Sequence, residues 1–264
     1  MEQRSAQLNL IGDQERARRF TWTAPLGLAA FGIALWQVGV GAFAVPNYLL
    51  PSPVAIAGQS IRDAPVLIAS ARVTVIEVLF GFATAIVLAL AVATLMHFAT
   101  AVRRALLPLL VLTQTVPTVV FAPLVTVAVG YALAPKVAIV AVVCFFPVVI
   151  NAMDGFAAVD PSGVELMHSL GASRLQTFRH LTFPAALPAT FSGIRVAATY
   201  APVGAVFAEW GGSSNGLGFL MMQAEPTLET ARIFVVLCLI ALALYAAVTL
   251  SERRVTPQKG SGSP

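Results

Sequence analysis

One carboxylate lies well inside an apolar run of the sequence. Glu77 belongs to a run that extends from Val66 to Phe98. If this run crosses a membrane, a charge at its centre costs on the order of 3 kcal/mol or more unless it faces a cavity or a partner. Arg72 is five positions away, too far round a helix for an i, i+4 pair. We therefore expect Glu77 to meet another helix, through a structural hydrogen bond or at a solute site.

Further polar residues inside apolar runs have the hydrogen-bonding groups that a small solute needs. Some of them flank Pro117, and a proline at membrane depth frees backbone carbonyls that must face protein or a water-filled cavity. Isolated Thr and Tyr side chains also tie helices together, so a structural role stays open for each. With Glu77, the candidates for a path taken by a small polar or heterocyclic solute are Gln114, Thr115, Thr118, Asn151, Tyr200 and Glu209.

No sequence motif in the chain matches a known type of catalytic site. There is no Gly-x-x-x-x-Gly-Lys-Ser/Thr phosphate loop, so the sequence predicts no ATPase site. His97, His168 and His180 lack metal-ligand spacing, and no Gly-x-Ser-x-Gly nucleophile elbow is present. We predict no catalytic residue, no metal site and no cofactor in this chain.

Composition identifies the class of protein. Hydrophobic residues make up 58% of the chain and charged residues 11%, with a mean hydropathy of +0.84. Soluble domains carry about 25% charged residues, so this is an integral membrane protein. The net charge of +4 comes from scattered basic residues that form no stripe, which argues against nucleic acid as a partner. Cys144 and Cys238 both lie in apolar runs and are predicted to be unpaired.

Six apolar runs have about the length that a bilayer requires. We predict a transmembrane domain over residues 24–250, with polar tails at 1–23 and 251–264. Prolines interrupt the third run three times and the fourth once. The predicted spans are Ala24–Phe43, a part of Val66–Phe98, Ala105–Gly130, Lys136–Ala152, Ala189–Phe207 and Ala231–Leu250.

The distribution of basic residues predicts the orientation. With both tails, the loop at Arg103 and the region after Asp160 on the inner side, 12 of the 16 Lys and Arg residues are internal. The remaining four are Arg62, Arg72, Lys136 and Arg232. The positive-inside rule then puts both termini in the cytosol.

The cytosolic segment from Asp160 to Pro188 contains two helix-start signals. Asp160 suits the N-cap position of a helix, and Pro161 suits the first helical position after it. Ser162-x-x-Glu165 fits a capping box. Gly171 suits a left-handed C-terminal position, and Ser173-x-x-Gln176 is a second capping box. We predict a helix, a glycine corner and a second helix that ends near Phe183, because Pro184 disfavours a helical predecessor.

The spacing of this segment resembles the EAA loop of permease subunits in ATP-binding-cassette (ABC) importers, with the pattern E-A-A-x3-G-x9-I-x-L-P. Glu165, Gly171 and Pro184 keep that spacing. Where the pattern has two alanines, isoleucine and leucine, this chain has Leu166, Met167, Leu181 and Phe183. The resemblance implies that the loop docks in a cleft of an ATPase subunit, through Val164, Glu165, Leu166, Met167, Ser169, Leu170, Gly171, Ala172, Leu181 and Pro184.

Shorter motifs resemble the permeases of the nitrate, sulfonate, taurine and thiamine-precursor branch of this family. These motifs extend over most of the chain in the following order: Leu50-Pro-Ser-Pro53, Gly81-Phe-Ala83, Gln114-Thr-Val-Pro117, Phe145-Phe-Pro147, Val159-Asp-Pro161, Ser169-Leu-Gly-Ala-Ser173, Gly204 to Trp210 and Gly216-Leu-Gly218. Asn151-Ala-Met-Asp-Gly155 together with Glu209-Trp210 is most like the permeases for thiamine pyrimidine precursors.

The resemblance implies an all-α, six-helix type I importer permease in a bacterial inner membrane, with a two-helix coupling loop. Its implied partners are two ATPase subunits that bind ATP and Mg, a solute-binding protein on the external face and a second copy of the chain. The solute is expected to be a thiamine pyrimidine precursor or a related heterocycle, with sulfonate, taurine, nitrate or riboflavin-like solutes as alternatives. From other classes, an ion-gradient-driven transporter would need inverted repeats and matched buried acids, and a scaffold or intramembrane enzyme is the remaining alternative.

Overall fold

Apolar helices make up most of the molecule. The computed structural model describes residues 27–114 and 117–255, and within these ranges there is no strand. The tail predicted at residues 1–23, Thr115 and residues 256–264 lie outside the described residues. The helices are α1 (Gly27–Ala42), α2 (Pro53–Arg62), α3 (Ala64–Phe98), α4 (Thr100–Thr113), α5 (Thr118–Val129), α6 (Leu133–Ala157), α7 (Pro161–Ser169), α8 (Arg174–Thr177), α9 (Phe183–Trp210), α10 (Leu217–Ala224) and α11 (Thr230–Val255).

Three helical stretches are long and apolar enough to cross a membrane by themselves: α3, α6 and the continuous stretch Arg174–Trp210. Three shorter apolar helices correspond to the first, third and sixth predicted spans, at Gly27–Ala42, Val120–Val129 and Thr230–Ala246. The predicted third span, Ala105–Gly130, contains two helices: α4 ends at Thr113 and α5 begins at Thr118, directly after Pro117.

Helix α6 lies in the core between α3 and α9. The face of α3 towards α6 presents a small residue at every fourth position, which lets the two backbones approach closely. These buried residues are Gly81, Ala85, Ala89 and Ala93. On α9, a Cβ added to Gly193 would lie 2.7 Å from the carbonyl oxygen of Pro147, so only glycine fits this crossing.

The predicted end of a helix near Phe183 is wrong. Helix α8 continues through a π-helical segment, Phe178–Thr182, directly into α9. The Phe183 N–H donates to the carbonyl oxygen of Phe178, five residues back. A widened turn of this kind relieves the clash between the Pro184 ring and the preceding turn, so the helix passes the proline without ending.

The two ends of the bundle are named here by the short helices that lie at them. The α7 end carries α7, α8 and the last turns of α3 and α6. The α10 end carries α10, the start of α6 and the last turn of α9. Arg195, assigned above to the internal loop, lies in the middle of α9, where it is half-buried.

Candidate functional site

Helix α7 begins at its predicted N-cap. The Asp160 carboxylate accepts hydrogen bonds from the Ser162 N–H at 3.0 Å and from the Ser162 hydroxyl at 2.6 Å. These bonds hold the pKa of Asp160 below its ordinary value. The predicted capping box between Ser162 and Glu165 is wrong, because Asp160 already occupies the N-cap and Ser162 lies inside the first turn, while Glu165 is exposed.

Gly171 forms the predicted corner. Its φ is 77°, in the left-handed region, and its N–H donates to the His168 carbonyl. The Ala172 N–H donates to the Met167 carbonyl, which completes a Schellman motif. The second capping box is confirmed at 2.7 and 3.3 Å between Ser173 and Gln176. Both arms of the corner are thus fixed by local hydrogen bonds.

Large apolar side chains are exposed on this loop. Leu166 is 61% exposed, Leu170 is 74% exposed, and Leu175 on α8 is 66% exposed. Leu175 was missed by the motif comparison because it lies between the EAA positions. Of the other predicted coupling residues, the exposed ones are Glu165, Ser169, Gly171 and Pro184, and the half-buried ones are Val164, Met167, Ala172 and Leu181.

The loop packs against the helices of the bundle at the ends of α3 and α6. Phe178 of the π-helical segment packs its ring 5.1 Å from His97 and 5.3 Å from Phe156, measured between ring centroids. A Cβ on Gly163 would lie 3.4 Å from Leu181 Cδ2, so α7 packs closely on that leucine. Val164 lines a cavity of about 300 Å³ between the loop and the ends of α3 and α6. The loop is therefore continuous with the packed helices beneath it.

A second cavity, of about 410 Å³, lies between α4, α6 and α9. It brings together three of the predicted path residues, Gln114, Asn151 and Tyr200. Asn151 lies within α6 and not at its end, and its Nδ2 donates to the Pro147 carbonyl at 2.8 Å. The remaining lining residues are Thr113, Val143, Phe146, Pro147, Ile150 and Val196. Thr118, another predicted path residue, begins α5.

Glu77 and Glu209 do not line this cavity. They lie together near the α10 end, with side chains 0% and 1% exposed. Glu77 meets another helix, as predicted: its Oε1 accepts from Lys136 Nζ of α6 at 2.8 Å. Glu209, which lies beyond the predicted fifth span, is a second buried acid. The predicted end of the fifth span at Phe207 is too early, because helix α9 extends to Trp210 and carries Glu209 into the bundle.

Comparisons with known proteins agree with one another. Residues 85–257 match the family model described as binding-protein-dependent transport system inner membrane component. The chain is 33% identical to a probable ABC transporter permease protein of Haemophilus influenzae, over 85% of this chain and 93% of that protein. It is 32% identical to the formylaminopyrimidine transport permease protein ThiX of Halalkalibacterium halodurans, over 85% and 91%.

A third relative is the riboflavin transport system permease protein RibX of Chloroflexus aurantiacus, 34% identical over 89% of this chain and 91% of that protein. Among solved structures, an inward-facing conformation of the MetNI methionine ABC transporter has a similar fold. The TM-score is 0.57 at 17% identity, and the match covers 72% of this chain and 96% of the solved chain.

Proposed function

The chain belongs to the family of inner membrane components of binding-protein-dependent transport systems, and we propose that it forms the solute path of an ATP-driven importer and couples that path to ATPase subunits through the loop at Gly171. This family membership argues against the ion-gradient-driven transporter, because the family consists of membrane components of binding-protein-dependent transport systems. The two proposals below concern the ATPase partner and the solute.

The exposed leucines at the α7 end carry the coupling proposal. Removing a leucine side chain from water is worth roughly 1.5–3 kcal/mol, so Leu166, Leu170 and Leu175 offer a partner substantial binding energy. The Schellman corner and the second capping box keep these side chains in fixed positions. We propose that they enter clefts on ATPase subunits, which bind ATP and Mg, and that the α7 end faces the cytosol.

The complex we propose contains two copies of this chain and two ATPase subunits. One chain supplies one coupling loop, and a pair of ATPases needs two such loops. A solute-binding protein would approach the opposite face, at the α10 end. Both termini would then lie in the cytosol of a bacterial inner membrane, as the distribution of basic residues predicts.

The cavity at Asn151 supports an uncharged or weakly polar heterocycle as the solute. Amide and hydroxyl groups of Gln114, Asn151 and Tyr200 provide donors and acceptors, and Phe146 provides an aromatic wall. No lysine or arginine, including Arg195 of α9, is among the described residues that line the cavity. A sulfonate, taurine or nitrate anion would need a cationic partner here. We therefore favour a thiamine pyrimidine precursor over these anions, with a riboflavin-like solute as the closest alternative.

Co-purification tests the coupling proposal. Leu170→Asp places a charge in the proposed contact, and Leu170→Met is its matched apolar control. When each is co-expressed with the ATPase subunit, we expect wild type and Leu170→Met to retain the ATPase in mild detergent and Leu170→Asp to lose it. Equal retention by all three would contradict docking through this surface.

Uptake into proteoliposomes tests the solute. The reconstituted importer with its binding protein is given a labelled formylaminopyrimidine, taurine or riboflavin in separate experiments. We expect ATP-dependent uptake of the formylaminopyrimidine. Uptake of taurine alone would contradict the assignment made from the uncharged cavity.

A further inference from the structure

A buried polar cluster joins four elements at the α10 end. Lys136 Nζ donates to Glu77 Oε1 at 2.8 Å and to the Ser213 hydroxyl at 2.6 Å. The other carboxyl oxygen of Glu77, Oε2, is buried and has no hydrogen-bond partner among the described residues. An orphaned oxygen on a fully buried acid is costly and calls for a physical explanation.

Glu209 is surrounded by hydrogen-bond donors. Its Oε1 accepts from the Thr74 hydroxyl at 2.6 Å, and its Oε2 accepts from the N–H groups of Gly218 and Phe219 at 2.5 and 3.3 Å. The Glu209 and Glu77 carboxyl groups also lie within hydrogen-bonding reach of each other. Two carboxyl groups therefore meet in the core, one saturated with donors and one with a free oxygen.

The formal charges of the cluster do not balance. Two carboxylates and one ammonium give a net charge of −1, and two ionised carboxylates in contact repel strongly in a dry site. Among the described residues near this end, Asp63 and Arg232 pair with each other at 2.6 Å, and Arg72 of α3 is exposed. These residues supply no second cation to the cluster.

We propose that this cluster is a proton-binding site, in which Glu77 and Glu209 share one proton between their carboxyl groups. Glu77 Oε2 is the oxygen that lacks a partner, and a proton held by either carboxyl group gives it one. The Thr74 hydroxyl lies 2.6 Å from Glu209 Oε1 and 3.2 Å from the Ser70 carbonyl oxygen, so it can donate to the carbonyl when Glu209 holds the proton. The proton satisfies that oxygen and leaves one ammonium against one carboxylate. Carboxyl pairs that share a proton are an established solution to like-charge contact.

The shared proton joins α3 to Glu209, the residue of α9 that holds α10. Glu209 holds the first N–H groups of α10, and Thr74 of α3 accepts from the Leu217 N–H at 2.9 Å. Separation of α3 from α9 would expose the Glu77 carboxyl to water, where a glutamic acid ionises at neutral pH. This step rests on the proposed function: if the α10 end opens during transport, opening releases the proton, and alkaline pH favours the open form.

A pair of isosteric variants tests the site. Glu77→Gln keeps a carbonyl oxygen for Lys136 and supplies an N–H donor to Glu209, so it imitates the protonated acid. Glu209→Gln keeps a carbonyl oxygen for the Gly218 N–H and supplies an N–H donor to Glu77, so it imitates the acid protonated on the other residue. We expect the melting temperature of each purified variant to stay within about 2 °C of wild type, because each keeps one carboxylate against Lys136 and needs no shared proton. A fall of about 4 °C or more in both variants would overturn the shared proton, because two ionised carboxylates would then be required.

Infrared spectroscopy reads the proton directly and does not depend on the importer being active. Wild type should show the C=O stretch of a buried protonated carboxyl group, and both Glu77→Gln and Glu209→Gln should lack it. Absence of this band from wild type overturns the proposal. A wild-type melting temperature that rises with Na⁺ at constant ionic strength would also overturn it, because a metal ion would then balance the charge. None of these outcomes depends on docking of an ATPase, so failure here is distinguishable from failure of the proposed function.

Discussion

Replacement of Gly171 by valine isolates the contribution of the corner in the loop. A Cβ at this position meets no atom within 4 Å, so the substitution creates no steric clash with other residues. The whole cost comes from the backbone, whose φ of 77° lies in the left-handed region. That region costs a residue with a side chain roughly 1–2 kcal/mol, and a β-branched residue fits it especially poorly.

A cost of this size changes the population of the corner by a factor of roughly 5–30. The rest of the protein has no reason to unfold, because the loop lies at the surface and α9 is held elsewhere. The Schellman bonds would instead break, and α7 would lose its fixed direction relative to α8. We expect ATP hydrolysis by the reconstituted complex to continue while solute uptake per ATP falls at least about fivefold.

The assay measures phosphate release and labelled-solute uptake on the same proteoliposomes. Gly171→Asn is the matched control, because asparagine tolerates the left-handed conformation, and it should retain most of the coupling. Gly163→Ala adds a methyl group to an ordinary helical position in the same loop and should also couple. The reasoning fails if valine and asparagine at position 171 give the same uptake per ATP.

Three further substitutions test other parts of the structure. Lys136→Met removes the only cation of the buried cluster and should cost about 3–5 kcal/mol, the range for breaking a buried pair, seen as a large fall in melting temperature. The Arg232 hydrogen bond lowers the pKa of Asp63 from its ordinary 3.8, so the stabilisation by this pair is complete above pH 3.8 and is lost as the pH falls through the lower folded pKa. The gap in melting temperature between wild type and Asp63→Asn should therefore begin to narrow at pH 3.8 and close only below the lowered pKa of Asp63. Tyr200→Phe removes a hydroxyl group from the cavity and should raise the KM for uptake about fivefold, the effect of one hydrogen bond, without changing the melting temperature.

The loop was predictable because its determinants are local. Asp160, Gly171 and Ser173 act on backbone groups within five residues of themselves, so their order in the sequence is sufficient to predict a helix, a corner and a helix. The two errors also have local causes. Two N-cap signals overlap at Asp160 and Ser162, and only one can be used. Pro184 is accommodated by a π-helical turn, which the rule for residues preceding proline does not include.

The buried cluster was not predictable, because its members come together only through packing. Glu77 and Lys136 are 59 residues apart, and Thr74 and Glu209 are 135 residues apart. Helix α9 continues to Trp210, and the connection after it packs closely against α5: a Cβ on Gly211 would lie 2.8 Å from the Ala122 carbonyl oxygen. Glu209 is thus buried in the core, two residues beyond the predicted end of the fifth span at Phe207.

The continuous helical stretch Arg174–Trp210 connects the loop at Gly171 to the buried cluster at Glu209. At 1.5 Å per residue, its 37 residues span roughly 55 Å. The coupling corner precedes its first turn, and Glu209 belongs to its last turn, so a tilt imposed at the loop must displace the carboxylate that holds α10. The π-helical segment and Pro202 are the places where such a rod bends. If an ATPase acts through the loop as we propose, its closure would load the contact between Glu77 and Glu209 at the other end, and that contact would have to break before the α10 end could open.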